Sequence, residues 1–189
     1  MTRWTHVGTK YIAIEVLIGM IDEPHRAACQ KILQDNRVLF EMTRGSTHNH
    51  QTWPGGYIDH VTDGMNLAYQ LYGFIKGLGR PMAFALSDAL LIFFLHDLEK
   101  PWRIRVTDGV AHNKPGLDNK DAYRRFREEK LCEYGIMLTD RQMNALIYVE
   151  GEYQDYSSAR RVMNELAAFC HMVDTWSARG WYEYPKATD

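Results

Sequence analysis

Four polar side chains fall at positions where the helical pattern of the sequence predicts buried apolar residues. His96 and Asp97 directly follow the apolar run Ala89–Leu95, and on a helical period Asp97 continues the apolar stripe of that run. Asp174 and His60 interrupt the apolar faces of two further predicted helices in the same way. An ionised carboxylate at such a position costs much free energy unless it is paired or bound to a cation.

Together these residues bring two imidazoles and two carboxylates from three predicted helices to one interior. Histidine and carboxylate ligands in combination suit divalent zinc, iron, manganese, cobalt or nickel, so one bound transition metal accounts for all four side chains. Each residue alone also has an ordinary explanation, because a core histidine is commonly hydrogen-bonded and a helical aspartate is commonly a cap or an ion-pair partner. The combination favours the metal site.

The elements that position these residues are predicted to be helices. Apolar spacing indicates helices over residues 23–42, 58–77, 88–99, 118–134, 139–149 and 157–181. The expected caps and stops are Ser87, Pro101, Asp118, a capping box of Thr139 with Gln142, and Ser157 or Ser158. Residues 45–56 are predicted to form a loop, and residues 102–116 either a short hairpin or an irregular excursion. The expected fold class is all-α.

Composition narrows the classes of protein to which this chain can belong. Its 189 residues predict a single domain over 1–189, and its net charge of −2 argues against binding long nucleic acid or an anionic membrane surface. The sequence contains neither an apolar stretch long enough to span a membrane nor a signal peptide, and its three cysteines are widely spaced. We therefore expect a soluble, cytoplasmic protein whose partner is a small molecule.

Three local motifs resemble the HD-domain superfamily of metal-dependent phosphohydrolases. The segment from Gly55 to His60 is similar to the Gly-Gly-x-x-x-His opening of that family, and Leu95 to Pro101 is similar to its Leu-His-Asp box. Asp174 with Ser177 resembles the closing Ala-Asp-x-x-Ser segment. The resemblance covers about residues 44–179. Two positions depart from the family pattern, because Glu99 replaces a small residue and Val173 replaces alanine.

The resemblance implies a single helical HD-domain bundle with one metal in its interior. The ligands implied are His60, His96, Asp97 and Asp174. Some members of the family hold a second metal through additional histidines. Here His112 is the candidate together with residues 148–152, from which the usual His-His pair is absent, so a second ion is expected only as a weaker Mg or Mn. Many members self-associate, which makes a homo-oligomer one expected state.

Five further residues suit a phosphate ester at this metal. Lys100 lies one turn beyond Asp97 and is expected to neutralise phosphate or to brace that carboxylate. Arg44 stands where short HD nucleotidases carry a phosphate-binding arginine, although Gly45 replaces the tryptophan that usually follows it. His50 is a candidate general acid and Trp53 a candidate stacking platform for a base. Glu150 is either a water-orienting carboxylate or a solvated one.

The sequence therefore predicts a metal-dependent phosphohydrolase of nucleotides. Asp97 is expected to hold both the metal and the attacking water, and cations at Lys100 and Arg44 to offset charge on the phosphoryl oxygens. Nucleoside or deoxynucleoside tri- or monophosphates are the expected substrates, because a single domain is expected and no second one to bind a polymer. The alternatives are a 3′–5′ exonuclease or cyclic-nucleotide phosphodiesterase, and a non-catalytic nucleotide-binding module.

Overall fold

The computed structural model describes residues 11–47, 49–108 and 110–180, and most of these residues are helical. The elements are α1 (Ile14–Ile18), α2 (His25–Asp35), α3 (Arg37–Met42), α4 (Gly56–Gly77), α5 (Leu86–Leu95), α6 (Lys100–Arg103), β1 (Ile104–Thr107), β2 (Val110–Asn113), α7 (Lys120–Glu133), α8 (Asp140–Tyr148) and α9 (Glu165–Gly180). Within these ranges no helix combines the length and the apolar character that crossing a membrane would require.

Helix α5 is the centre of the core, as its sequence predicts. Every residue from Ala89 to Leu95 is buried, and α4, α8 and α9 all pack against this helix. The approach of α4 is close because Gly64 has no side chain. A β-carbon at Gly64 would lie 1.9 Å from the ring of Phe93. This contact lies one turn after His60 and brings the helix of that residue against the end of α5.

The helix predicted over 88–99 is wrong at its C-terminal end. α5 ends at Leu95, and residues 96–99 form a turn in which Leu98 N–H donates to Leu95 at 3.2 Å and Lys100 N–H donates to Asp97 at 2.9 Å. Pro101 does not end a helix as predicted but lies in the first turn of α6. At that position the backbone N–H that proline lacks would have no partner within the helix, so no hydrogen bond is lost. The motif of His96 and Asp97 therefore occupies a tight turn between two helices.

The helix predicted over 23–42 is also interrupted. It divides at Asn36 into α2 and α3, and Asn36 adopts a non-helical backbone with φ −118°. Its side-chain amide donates to the Ile32 carbonyl at 2.9 Å and to the Tyr134 hydroxyl at 3.1 Å. Asparagine commonly competes with helical hydrogen bonds in this way.

Of the predicted caps of α5, α7 and α8, two are wrong and one is confirmed. Ser87 lies inside α5, and its hydroxyl accepts a backbone N–H from the loop before α2 at 2.7 Å. Asn119 rather than Asp118 caps α7. Thr139 and Gln142 form the predicted capping box at the start of α8.

The last helix begins later than predicted. Neither Ser157 nor Ser158 caps it, because α9 starts at Glu165 and the side chain of Asn164 accepts the N–H of Ala167 at 2.8 Å. Residues 149–164 form a connection that contains a short 3-10 turn over Tyr153–Asp155. The predicted end of the helix at Trp181 lies outside the described residues.

Strands β1 and β2 pair antiparallel, with Ile104 opposite Asn113 and Thr107 opposite Val110. The segment 102–116 thus contains a short hairpin, which was one of its two predicted forms. The fold is mainly helical with this one hairpin among the described residues.

Candidate metal centre

Ligand atoms from α4, from the turn after α5 and from α9 converge on one point. His60 Nε2 lies 3.5 Å from Asp97 Oδ2 and 3.2 Å from Asp174 Oδ1. His96 Nε2 lies 3.1 Å from Asp97 Oδ2 and 3.5 Å from Asp174 Oδ1. His60, His96 and Asp97 are buried and can hold a metal ion, and the side chain of Asp174 is 18% exposed and opens the group to solvent.

Hydrogen bonds on the far side of each ring fix where its protons lie. His96 Nδ1 is 2.7 Å from the Phe93 carbonyl oxygen, which only accepts, so this nitrogen carries the proton. Burial raises the pKa of Asp63 to about 6, which still leaves its carboxylate ionised at neutral pH. This carboxylate accepts a hydrogen bond from the Ser177 hydroxyl at 2.7 Å. The Ser177 oxygen in turn accepts from His60 Nδ1 at 3.1 Å. When a ring is neutral, its Nε2 therefore directs a lone pair inward.

These lone pairs make the centre a cation site. The two Nε2 atoms lie only 3.2 Å apart, and both face carboxylate oxygens. Burial lowers the pKa of His96, but the charges of Asp97 and Asp174 outweigh it and raise that pKa to about 10. The four side chains therefore favour a positive charge between them. That charge is either a proton on His96 or a divalent ion that replaces this proton. Two imidazoles with two carboxylates match the preferences of a transition metal.

We expect Ser177→Ala to weaken metal binding about 10–100-fold, because outer partners of ligating histidines contribute that much by fixing tautomer and basicity. The substitution removes the acceptor of His60 Nδ1 and the donor to Asp63. Competition of the protein with a chelator for Zn²⁺ or Mn²⁺ measures the change. Ser158→Ala, on the exposed loop before α9, is the matched control. Equal metal affinity in both variants would show that the hydrogen bonds from His60 through Ser177 to Asp63 do not support metal binding.

Lys100 contacts the carboxylate of Asp97, as its spacing in sequence predicts. Its ammonium lies directly against Asp97 Oδ2, and its side chain is only 9% exposed. Burial opposes ionisation of Asp97, but the charge of His96 and then that of Lys100 overcome it and hold the pKa of Asp97 well below its usual range. Asp97 is thus ionised at neutral pH.

A buried cluster of charged side chains behind the turn was not predicted from the sequence. Glu99 is 1% exposed and lies 3.4 Å from Arg103 and 3.5 Å from Arg127. Arg127 also donates to the backbone carbonyl of His96. Because Arg127 stands four residues before buried Leu131 on α7, its place on an inner face could have been found from the sequence. The cluster explains why an acidic residue is tolerated at position 99.

The loop before α4 places His50 at the centre, as predicted. The rings of His50 and His60 have centroids 5.1 Å apart. His50 Nδ1 contacts Gln51 Oε1, and Gln51 Nε2 donates to the Ser177 carbonyl at 3.1 Å, which ties the loop to α9. Burial, followed by the charge of Lys100, lowers the pKa of His50 to about 4. The free ring is neutral at pH 7, with its Nε2 lone pair unprotonated. The role of general acid stays a prediction.

The paired glycines of the motif allow this loop to pack against α4. Gly55 adopts a left-handed backbone with φ +83°, and a β-carbon at Gly56 would lie 1.9 Å from the Gln51 carbonyl oxygen. Gln51 also accepts the Gly45 N–H through that oxygen at 2.8 Å. Larger side chains at position 56 would displace the residue that anchors the loop. His48, a further histidine of the segment predicted as a loop, lies outside the described residues.

The remaining predicted site residues lie in three different parts of the fold. Trp53 is half-buried, and its indole N–H donates to Asp59 at 2.8 Å in the first turn of α4. Arg44 is half-buried at the start of the same loop. Glu150 lines a cleft between α7 and α8. His112 is exposed on β2. Their roles toward substrate stay predictions.

Comparison with protein families, with curated protein sequences and with solved structures finds no match for this chain. The resemblance to the HD-domain superfamily therefore rests on the three motifs and on the convergence of their side chains.

Proposed function

We propose that this protein is a metal-dependent phosphohydrolase of the HD type that acts on nucleotides. The observation that supports this proposal is the convergence of two inward imidazole lone pairs and two carboxylates at one partly open point. A buried ammonium stands against one of those carboxylates. Such a set suits an anionic ester, since the metal and the ammonium both attract phosphoryl oxygens.

The proposed ligands are His60, His96, Asp97 and Asp174, and the proposed cofactor is one divalent Zn, Mn, Fe, Co or Ni ion. When bound, such an ion polarises a phosphoryl oxygen and lowers the pKa of water toward neutrality. The partial exposure of Asp174 provides the side from which water and substrate reach the centre.

Side chains of the protein are proposed to orient the attacking water, to neutralise phosphoryl charge and to transfer a proton. Asp97 stays ionised and orients the water that attacks phosphorus, while Lys100 holds this carboxylate and offsets charge on the phosphoryl oxygens. The ring of His50 lies beside that of His60, and His50 is proposed to exchange a proton with the leaving oxygen. Arg44 and Trp53 belong to the same loop and are proposed to contact phosphate and base.

We expect substitutions in this loop to separate binding from chemistry. Base stacking on an aromatic ring contributes about 1–3 kcal/mol per base, so Trp53→Ala should raise KM roughly tenfold or more. Proton transfer by a positioned side chain contributes about 10²–10⁴-fold, so His50→Ala should mainly lower kcat. Steady-state kinetics of folded variants measure both effects.

The matched control for the tryptophan is Trp176→Ala, because Trp176 is exposed on α9. Wild-type kinetics in both Trp53→Ala and His50→Ala would show that the loop is scaffolding. Substrate recognition would then lie elsewhere around the centre.

The experiment that tests the function is a screen of metal-loaded protein against nucleoside and deoxynucleoside mono- and triphosphates, with analysis of products. Metal-dependent release of phosphate, diphosphate or triphosphate would support the proposal and identify the bond cleaved. Including cyclic nucleotides and single-stranded oligonucleotides tests the two alternative hydrolases. Nucleotide binding without turnover in every case would instead support the non-catalytic module.

A further inference from the structure

Large apolar side chains are exposed together on the outer surfaces of α4 and α9. Phe74 on α4 is 64% exposed, and Met172 and Trp176 on α9 are 48% and 60% exposed. Together with Leu67 and Leu71 they line an open groove of about 870 Å³. Exposed apolar patches mark interaction sites, and aromatic and methionine side chains are enriched at the centres of protein–protein interfaces. This surface therefore favours a protein partner.

Charges stand only at the two ends of the exposed face of α9. We define this outer face by five exposed residues, which are Glu165, Ala168, Met172, Thr175 and Arg179. They follow one another at alternating steps of three and four positions, the spacing of a seam along which two helices pair. Met172 is the midpoint, seven positions from either charge. Within the part of the chain that the structure describes, neither Glu165 nor Arg179 forms an ion pair.

The order of these residues is complementary to itself when the helix is reversed. A twofold axis through Met172 and perpendicular to α9 sets Glu165 of one chain opposite Arg179 of a second copy, and the converse. The same axis sets Trp176 opposite Ala168, whose small side chain leaves room for the indole. A parallel pairing would set like charges opposite each other, which is unfavourable. The outer face therefore fits a second copy of itself in the antiparallel direction.

Helix α4 extends the apolar surface beside the end of the outer face that carries Ala168. The rings of Tyr72 and Phe169 lie 6.4 Å apart, so α4 and α9 are side by side at this level. Phe74 follows two positions after Tyr72 and is exposed. The Trp176 of a second copy, set opposite Ala168, thus lies on the side of α9 that borders this exposed ring. Apolar contact is not confined to one pair of helices.

We propose that this protein forms a twofold dimer in which the exposed surfaces of α4 and α9 pack antiparallel on those of a second copy. Met172 lies on the axis, and two ion pairs between Glu165 and Arg179 close the ends of the helix pair. The proposal is independent of the proposed function, because all four proposed ligands of the metal centre belong to one chain. The resemblance implied only that self-association occurs, whereas this proposal names its surface and its register.

Sedimentation velocity of the full chain over a wide range of concentration tests the surface. We expect wild-type protein to dimerise and Met172→Glu to weaken dimerisation about 100-fold or more, because two carboxylates then meet on the axis. Met137→Glu is the matched control, since Met137 is 84% exposed and lies before α8. A thermal melt shows that each variant is folded. A wild-type monomer at every concentration, or a dimer that Met172→Glu leaves intact, would overturn the proposal.

Charge reversal tests the antiparallel register by the same measurement. Glu165→Arg and Arg179→Glu each replace both ion pairs by like charges, so each should weaken dimerisation about tenfold or more. An equimolar mixture of the two variants, and the double variant alone, should regain the wild-type affinity, because both pairs again join opposite charges. Arg125→Glu, at an exposed position on α7, is the control. Wild-type affinity in both single variants, or a mixture as weak as its components, would overturn the proposal.

Discussion

Replacing Lys100 with methionine is expected to lower kcat about 10²–10³-fold, the loss typical for one preorganised donor to a developing phosphoryl charge. The lysine is nearly buried and its ammonium contacts Asp97 Oδ2. A protonated lysine does not bind a metal, so the variant keeps all four proposed ligand side chains. Methionine keeps most of the length of the side chain and removes the charge. The loss should therefore appear in turnover far more than in metal content.

Steady-state kinetics and metal analysis of the same Lys100→Met preparation test this expectation. Lys76→Met is the matched control, because Lys76 is exposed in the last turn of α4. A thermal melt shows whether the variant is folded. A turnover number equal to that of the control would remove Lys100 from the mechanism. If metal content fell as much as turnover, Lys100 would only support metal binding and would have no direct role toward substrate.

The centre of the fold could be predicted because its signals are local. Seven consecutive apolar residues from Ala89 to Leu95 indicate a helix buried on every side, and the structure places them so. Asp97 and Asp174 were found by the same means, since a carboxylate on an apolar stripe needs a cation. The structure brings both carboxylates to the imidazoles of His60 and His96.

The supporting contacts could not be predicted because they join distant parts of the chain. Ser177 and Asp63 are 114 positions apart in sequence, and Arg127 lies 31 positions from the carbonyl of His96. No periodicity reports such pairs, and they follow only from how α4, α7 and α9 pack around the turn. The same holds for Gln51, whose side chain joins the loop to α9.

The predicted helix boundaries were wrong where a single side chain or a turn overrides helical propensity. The side-chain amide of Asn36 donates to the Ile32 carbonyl where α2 ends, and residues 96–99 tighten into a turn before α6. That second error matters for the site. A continuous helix would keep Asp97 on a helical face, whereas the turn sets its carboxylate between His96 and Lys100.

Removing a ligand should abolish metal binding, which is the largest effect that we expect. His96→Ala deletes an inward Nε2 lone pair, and Asp174→Ala deletes a carboxylate that lies 3.2 Å from His60 and 3.5 Å from His96. Each substitution should weaken metal affinity by more than the about 10–100-fold that an outer partner contributes. Hydrolysis of nucleotides should be lost with the metal.

Elemental analysis of purified protein after loading with Zn²⁺ or Mn²⁺ and removal of free ions is the most direct test. We expect one firmly bound ion per chain in wild-type protein and in His112→Ala, a control variant of a histidine exposed on β2. We expect little or no metal in His96→Ala and Asp174→Ala when both variants are folded. A full equivalent of metal in both variants, or none in the wild type, would contradict the central claim.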